Sequence, residues 1–352
     1  MEAAAAWIPV RVTDLRGVDL DTFRFDFDLT FAVLLMHPDG TVYHRFGGRD
    51  ATSAEVALSR AALVRLLREG LATHVAHRER GRPPAPGSPR TLDDIPAWRQ
   101  RLDARARRGE RPLDCYHCHF VADAERAQGL ADGTWRPEMI WRWPPPSQVG
   151  LALDPDRQDL VRAVTPGSPA ALAGVEAGDR VLELDGQRVL SWSDLSFALE
   201  RARGGARTLP LRLERAGAAV EARLELAAGW ERGDALTLAW RPSKWQLTPN
   251  PGFGGQPLAP EEKRALGLAP DAFALRVTYL ITWNQEARFG KAAIAAGIAK
   301  GDVVLGVNGE RGFSSHDHFQ AWWRLSLRPG DTARVELLRG GERREAVLSV
   351  IE

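Results

Sequence analysis

The chain has 352 residues, of which 44% are hydrophobic and 26% are charged, and 47 Lys and Arg against 46 Asp and Glu give a formal net charge of +1. This length allows two or three domains, and the balanced charge argues against nucleic acid as a partner. No apolar run approaches the roughly 20 residues that cross a bilayer, and the segment after Met1 lacks the pattern of a signal peptide, which predicts no membrane span and a cytoplasmic location for the sequence as written.

The first 80 residues predict a partial α/β domain. Residues 10–12 and the apolar run 29–36 are predicted strands, and after a turn the chain returns through residues 42–46. A helix with one apolar face is predicted to begin near Ser53. This order resembles the second half of a thioredoxin fold. Because no thiol pair precedes residue 10, the resemblance implies a thioredoxin-like domain over residues 1–80 that is either truncated at its N-terminus or degenerate.

Residues 81–146 combine a Pro- and Arg-rich linker with the motif Cys115-Tyr116-His117-Cys118-His119. This spacing matches the c-type haem attachment signature, in which both thiols bind the vinyl groups and the following histidine, His119, is a ligand of the iron. Met139 or another histidine would then be the sixth ligand. Haem c is therefore the first cofactor to consider.

Two other chemistries fit the same motif. Cys115 and Cys118 could act as a redox dithiol, with neighbouring histidines lowering a thiol pKa. They could also bind zinc, with a nearby histidine and a distant one such as His74 or His77 completing the ligand set. Zinc ranks behind haem, since adjacent histidines do not easily face one metal together with both thiols.

The C-terminal two-thirds of the chain contains a repeat. Residues 171–182, ALAGVEAGDRVL, recur as residues 294–305, IAAGIAKGDVVL, and an Asp-Gly or Asn-Gly turn follows in both copies. Such repetition predicts two copies of one domain. Each copy predicts a short helix, a strand, a hairpin turn, a second helix and a β-rich tail, which together suggest a small, partly open β-barrel.

The segment PGSPAALAGVEAGDRVLELDGQRV resembles the core of bacterial HtrA-type PDZ domains. The resemblance implies a first module at residues 147–230, a linker at 231–252 and a second module at 253–352. It also implies that a peptide or protein C-terminus adds as a strand to a sheet edge, with its carboxylate held by a Φ-Gly-Φ loop. The implied peptide-binding residues are Val149, Gly150, Leu151, Ala152, Asp194, Leu195 and Ala198 in the first module, and Leu266, Gly267, Leu268, His316, Asp317 and Gln320 in the second.

The predicted fold class is α/β plus mainly-β, a partial thioredoxin-like α/β domain followed by two PDZ-like β-barrel modules. The N-terminal phrase VRVTDLRGVDLDTFRFDFDLTFAVLLMHPDGTVYHRFGGRD, the CxxCH motif and the tandem modules together resemble a bacterial thioredoxin-like/PDZ (seleno)protein family. This resemblance implies an envelope redox or adaptor protein with a redox partner, periplasmic if the true start lies upstream of Met1.

The alternative function is a non-catalytic PDZ scaffold with a degenerate thioredoxin-like domain. Thiol or selenol oxidoreductase activity would require a longer N-terminus, and no catalytic residue is assigned. No segment resembles the Gly-Asn-Ser-Gly-Gly nucleophile of trypsin-like proteases, so protease activity is not expected.

Overall fold

A computed structural model describes residues 2–29, 31–80, 88–283 and 286–352. The chain divides into two compact units, Met1–Arg232 and Gly233–Glu352. The Pro-rich start of the predicted linker, residues 81–87, and residue 30 of the predicted strand lie outside the described residues. None of the helices in the described ranges is both long enough and apolar enough to cross a membrane.

The first unit begins with a β-hairpin and a long helix. Strand β1 (Val33–Met36) pairs antiparallel with β2 (Val42–Phe46), and helix α1 (Arg60–Arg80) follows. Leu35 and Leu66 are buried together between the hairpin and the helix. The predicted hairpin and helix are present, although the helix begins at Arg60 rather than near Ser53.

The remainder of the predicted thioredoxin-like domain is not shown. Residues 10–12 form no strand, and Val10 and Val12 are exposed to solvent. The predicted strand 29–36 has only four strand residues, and the described sheet of this region contains β1 and β2 alone. A short apolar segment without a neighbouring strand can neither bury a face nor pair its backbone groups, so it does not become a strand.

The segment that carries the CxxCH motif folds as a pair of helices. Helix α2 (Pro96–Arg107) begins with a proline at its first position, where no backbone N–H is needed, and α3 (His119–Ala131) packs against it. The fully buried Trp98 and Val121 lie in the core of this segment.

The first module has eight elements. They are β3 (Leu151–Leu153), β4 (Val161–Val164), α4 (Pro169–Leu172), β5 (Arg180–Leu184), β6 (Gln187–Arg188), α5 (Trp192–Arg201), β7 (Arg207–Arg215) and β8 (Ala218–Leu226). Ser168 and Ser191 cap the two helices by accepting backbone N–H groups, as N-cap serines commonly do. Leu209, Leu211 and Leu213 alternate along β7 and point into the core.

The second unit repeats this order with additions. Its elements are α6 (Ala235–Ala239), β9 (Phe253–Pro257), α7 (Pro260–Ala265), β10 (Leu275–Leu280), α8 (Ala287–Ala295), β11 (Val303–Val307), α9 (His316–Ser326), β12 (Thr332–Arg339) and β13 (Glu342–Ser349). The strands form one sheet in the order β13-β12-β11-β10-β9. Phe253, Phe319 and Trp323 form the aromatic centre of its core.

Both modules hold the repeated Gly-Asp turn in the same way. Arg215 of β7 binds Asp179 (Nε–Oδ1 2.7 Å), and Arg339 of β12 binds Asp302 (Nε–Oδ1 2.6 Å). Both arginines also donate to the carbonyl of the glycine that ends the preceding helix. The shared contact supports two copies of one domain, as the repeat predicts.

The sheets are open, so the part of the chain that is described contains no closed β-barrel, and the sequence prediction of small, partly open barrels holds only in its open character. The first module has separate sheets, β3-β4 and β6-β5-β7-β8, and in the second unit β9 and β13 are unpaired edges. A barrel requires its first and last strands to pair, and neither module brings such strands together.

Candidate peptide-binding sites

Each module has a glycine directly before an edge strand. Gly150 (φ +87°) precedes β3, and Gly252 (φ +79°) precedes β9. An added Cβ would lie 2.0 Å from Ser168 Oγ at Gly150 and 2.1 Å from the carbonyl oxygen of Phe289 at Gly252. Both positions therefore require glycine, and the strand that each glycine begins has an outer edge to which another chain can pair.

The predicted loop of the first module lies at this position. Val149 ends a short 3₁₀ helix, Gly150 turns the chain, and Leu151 and Ala152 begin β3. The side chains of Val149 and Leu151 are buried in the core of the module, so these two residues could contact a ligand only through their backbone groups.

The predicted helix residues of the first module lie in the interior instead. Asp194, Leu195 and Ala198 have no exposed surface. Leu195 and Ala198 belong to the core of the module. The structure therefore does not place these three side chains on an open groove.

Asp194 is buried because β2 packs against α5. Its carboxylate lies 2.8 Å from His44 Nδ1 and accepts the backbone N–H groups of Arg45 (2.8 Å) and Leu190 (3.0 Å). The Arg45 guanidinium lies 3.4 Å from the centre of the Phe197 ring on the same helix. The N-terminal hairpin thus covers a face of α5 that the sequence assigns to a peptide.

In the second module the predicted loop is displaced. Leu266, Gly267 and Leu268 follow α7 within the β9–β10 connection, and the two leucines pack on a small apolar cluster of the sheet. Gly252 and Phe253 occupy the position equivalent to Gly150 and Leu151. The signal for them was present in the sequence, since Pro251-Gly252-Phe253-Gly254 places glycines next to an aromatic residue at the start of a strand.

A pocket of about 470 Å³ lies beside β9 and α9 in the second unit. Among the predicted α9 residues, Gln320 lines this pocket and donates its amide to the Phe253 carbonyl (3.1 Å), with His316 Nε2 3.1 Å from the same amide nitrogen. Asp317 instead pairs with Lys244 at 3.3 Å. The full lining is Trp245, Asn250, Phe253, Tyr279, Ile281, Trp283, Glu286, Gln320 and Arg324.

Arg324 is the functional candidate that the sequence did not reveal. It is only 5% exposed, and its guanidinium donates to Gln320 Oε1 (2.5 Å), while its Nε has no hydrogen-bond partner. No carboxylate of the described residues lies within ion-pair distance of it, and Glu286, across the pocket, instead accepts from Asn250. Burial lowers the pKa of Arg324 to about 10, so the side chain remains a cation at neutral pH.

Burying a cation without a nearby counter-ion costs free energy, because the charge loses its hydration. A bound anion would offset that cost. The Trp245 ring, 4.8 Å from the guanidinium, contributes only the weak attraction of an aromatic face. The second unit therefore presents an aromatic pocket with a positive group at its wall. The spacing of four residues from Gln320 to Arg324 on one helix face was the available sequence signal.

The CxxCH motif lies at the start of α3. Cys118 is the N-cap residue, its Sγ is 3.5 Å from the Leu29 carbonyl oxygen, and burial raises the pKa of its thiol. The dithiol hypothesis requires a thiol whose pKa is lowered, so Cys118 does not meet that requirement. Cys115 Sγ lies 3.5 Å from His117 Nε2.

The described residues do not assemble the predicted zinc ligands around this motif. The rings of His117 and His119 lie side by side, 5.7 Å apart. His77 lies beside His37 and Asp39 instead, and those three form the single candidate metal-binding group among the described residues. A haem or redox role for Cys115, Cys118 and His119 stays a prediction.

Comparison with known proteins identifies both modules. Residues 160–212 match one PDZ domain family and residues 284–350 match another, so the chain contains two PDZ domains. The chain is 26% identical over 193 residues to a probable periplasmic serine endoprotease DegP-like of Pseudomonas fulva (strain 12-X), an alignment that covers 54% of this chain and 37% of that protein. The chain thus spans little more than a third of this relative.

Two solved structures also match parts of the chain. The HtrA-type protease AlgW with a decapeptide is 16% identical, with 41% of this chain and 48% of that chain covered and a TM-score of 0.24. A variant of AlgW, also with a decapeptide, is 17% identical, with 55% and 54% covered and a TM-score of 0.26.

Proposed function

We propose that this chain is a peptide-binding adaptor whose second PDZ domain receives the C-terminus of an extended polypeptide in the pocket beside β9 and α9. The observation that carries the proposal is Arg324, a buried cation in the wall of that pocket with no carboxylate of the described residues within ion-pair distance. PDZ domains bind peptide C-termini, whose carboxylate is the anion that Arg324 lacks.

The edge of β9 supports pairing with the backbone of a ligand. Gly254 and Gly255 leave this strand without side chains at two successive positions, and the Tyr279 ring lies close over Gly254. The Phe253 carbonyl accepts the Gln320 amide, and a backbone N–H of an added strand can replace that donor. Binding would then exchange one internal hydrogen bond for a ladder of several.

The lining supports an apolar residue at the end of the ligand. Phe253, Tyr279 and Trp283 supply aromatic surface, while Arg324 supplies the charge. The lining also contains the Glu286 carboxylate, which accepts from Asn250, so Arg324 is the one cation among the described residues of the pocket lining. Mostly apolar walls with one cation select a ligand that has both an apolar residue and an anionic group. The proposed ligand class is therefore a polypeptide with a free C-terminal carboxylate and an apolar final residue.

The two PDZ domains have different roles in this proposal. The first packs against the N-terminal hairpin through α5, which supports a mainly structural role for Asp194, Leu195 and Ala198. The similarity to a protein described as periplasmic supports an envelope location. At the CxxCH motif the described residues include one thiol–histidine contact, Cys115 Sγ to His117 Nε2 (3.5 Å), and it does not by itself favour a second function over the peptide-binding proposal.

The test is a binding measurement with fluorescein-labelled peptides selected from a random library displayed by its free C-terminus. Arg324→Gln should weaken binding by about 10- to 100-fold, because a hydrogen bond to a charged group contributes roughly 1.5–3 kcal/mol. Arg328→Gln, at an exposed position just after the end of α9, is the matched control and should bind as the parent does.

An amidated version of the selected peptide separates carboxylate recognition from general loss of affinity. It should bind the parent weakly and lose little further affinity in Arg324→Gln. Equal binding of the free and amidated peptides by the parent would reject Arg324 as the carboxylate receptor. Failure of the library to yield any binding peptide would reject the proposed function itself.

A further inference from the structure

We propose that His37, Asp39 and His77 form a binding site for a single divalent transition-metal ion, with zinc as the best-fitting candidate. The site lies in the N-terminal part of the first unit and is independent of the proposed peptide-binding function. Two imidazoles and one carboxylate are a common ligand set for such ions, and they leave at least one coordination position for water.

The three donor atoms already face one another. His37 Nδ1 lies 3.0 Å and His77 Nε2 2.9 Å from the same oxygen, Asp39 Oδ2, and all three donor atoms lie within 4.8 Å of each other. Donors that bind zinc tetrahedrally with bonds of roughly 2.0–2.1 Å are separated by roughly 3.3 Å. The two distances to Asp39 Oδ2 would have to lengthen by only a few tenths of an ångström to admit an ion, and the two imidazole nitrogens already lie within 4.8 Å of each other.

The hairpin turn holds Asp39 in the orientation that a ligand needs. Its Oδ1 accepts the backbone N–H of Thr41 (2.9 Å), which leaves Oδ2 directed at the two imidazoles. The turn is closed by His37 N–H to the Thr41 carbonyl (2.9 Å), with Gly40 at φ +93°. Support of a ligand by a further hydrogen bond is a regular property of metal sites, because it fixes the ligand's orientation.

The surroundings also favour a cation. Asp39 pairs with no Lys or Arg among the described residues, and its ionic partners there are the two histidines. His77 lies in the last turn of α1, where the helix carboxyl end contributes partial negative charge. The side chains of His37 and His77 are 22% and 19% exposed, so an ion from solvent can reach them.

His74 and Tyr43 form a second layer beside the site. The Tyr43 hydroxyl lies 3.0 Å from His74 Nδ1, and the rings of His37 and His74 are 5.1 Å apart. Four of the eight histidines of the chain, His37, His44, His74 and His77, occur in this hairpin and helix. Because the same helix carries His74 and His77 three residues apart, both rings lie on one face of it.

The experiment uses the full chain with Cys115→Ser and Cys118→Ser, so that thiols cannot bind the metal. After chelator treatment, Zn²⁺ is titrated against a chromophoric competitor, and Co²⁺ is added separately to record its visible absorption. We expect one Zn²⁺ per chain and Co²⁺ bands of nitrogen and oxygen coordination. His77→Gln and Asp39→Asn should each weaken Zn²⁺ binding by at least about tenfold.

His318→Gln, a substitution in the second unit, is the matched control and should retain the parent affinity. The Co²⁺ spectrum of the unsubstituted site keeps the proposal testable if a ligand variant fails to fold. Zn²⁺ should also raise the melting temperature of the parent and not that of Asp39→Asn, since a ligand that binds only the folded state stabilises it. Zinc binding that is absent from the thiol-free chain, or unchanged in both ligand variants, would leave an Asp–His hydrogen-bonded cluster and overturn the proposal.

Discussion

Asp194 ties two parts of the first unit together through one carboxylate. It accepts hydrogen bonds from the backbone of Arg45 in β2 and of Leu190, just before its own helix, and its partner His44 also contacts Thr73 of α1 at 2.9 Å. A buried carboxylate is stable only when such donors surround it. The sequence instead predicts Asp194 on an accessible helix face, where its carboxylate would need no such donors.

Asp194→Ala should lower the free energy of unfolding of the first unit by about 3 kcal/mol, because it leaves buried N–H groups without an acceptor. Asp185→Asn is the matched control, since Asp185 lies half-buried in a turn at φ 48°, a conformation that asparagine tolerates, and its ion pair with Arg201 is partly solvent-exposed. Its effect should stay within about 0.5 kcal/mol. Urea unfolding followed by hydrogen exchange of β2 and α5 measures both. Equal effects of the two substitutions would contradict the role assigned to Asp194.

At the scale of elements, the start of β9 decides where a peptide could pair in the second module. β9 is the edge strand, and it begins directly after Gly252, whereas Gly267 lies in the connection that follows α7. Both glycines have positive φ, but only Gly252 is enclosed by backbone. We therefore expect alanine to destabilise the second module more at Gly252 than at Gly267.

Gly252→Ala should destabilise the second unit by more than about 2 kcal/mol and weaken peptide binding at least tenfold, because a Cβ meets the Phe289 carbonyl and the left-handed conformation itself costs about 1–2 kcal/mol. Gly267→Ala has no atom within 4 Å of its Cβ and should lose only about 1 kcal/mol with binding unchanged. Chemical denaturation and the peptide titration give both quantities. Loss of binding in Gly267→Ala alone would restore residues 266–268 as the loop.

At the scale of the whole molecule, the chain contains two compact units, each with a core of its own. The first module core includes Leu195, and the second unit core includes Phe319, both fully buried. Cores of this kind unfold cooperatively within a unit, so damage to one core is felt mainly by the elements that share it.

Phe319→Ala in the full chain should destabilise the second unit by about 4 kcal/mol and speed amide exchange in β9 to β13, because it leaves a cavity in the aromatic core. Leu195→Ala is the corresponding substitution in the core of the first module, and it should speed amide exchange in β5, β7 and β8. Hydrogen exchange with mass spectrometry resolves the two regions. Uniform acceleration across the chain by either substitution would show that the two units unfold as one.

Much of the PDZ architecture could be predicted from sequence, because its signals are local. The repeated Gly-Asp turn, the serine helix caps at Ser168 and Ser191 and the alternation of leucines along β7 each depend on residues close together in the chain. Those signals predicted two copies of one domain, whereas the loop at Gly150 was implied by the PDZ resemblance. They did not support a complete thioredoxin-like sheet, since the described residues 10–12, 29, 31 and 32 lie in no strand.

The candidate sites were decided by tertiary structure. His44 and Asp194 are 150 residues apart in the chain and 2.8 Å apart in space, and the metal candidate joins a hairpin turn to a helix 38 residues further on. Arg324, the proposed carboxylate receptor, lies in a pocket that Gln320, Trp245 and Phe253 of β9 also line. Local propensity specifies which segments become helices and strands. Which faces of these elements pack together depends on many weak contacts between residues far apart in the chain. Those contacts form only in the folded protein.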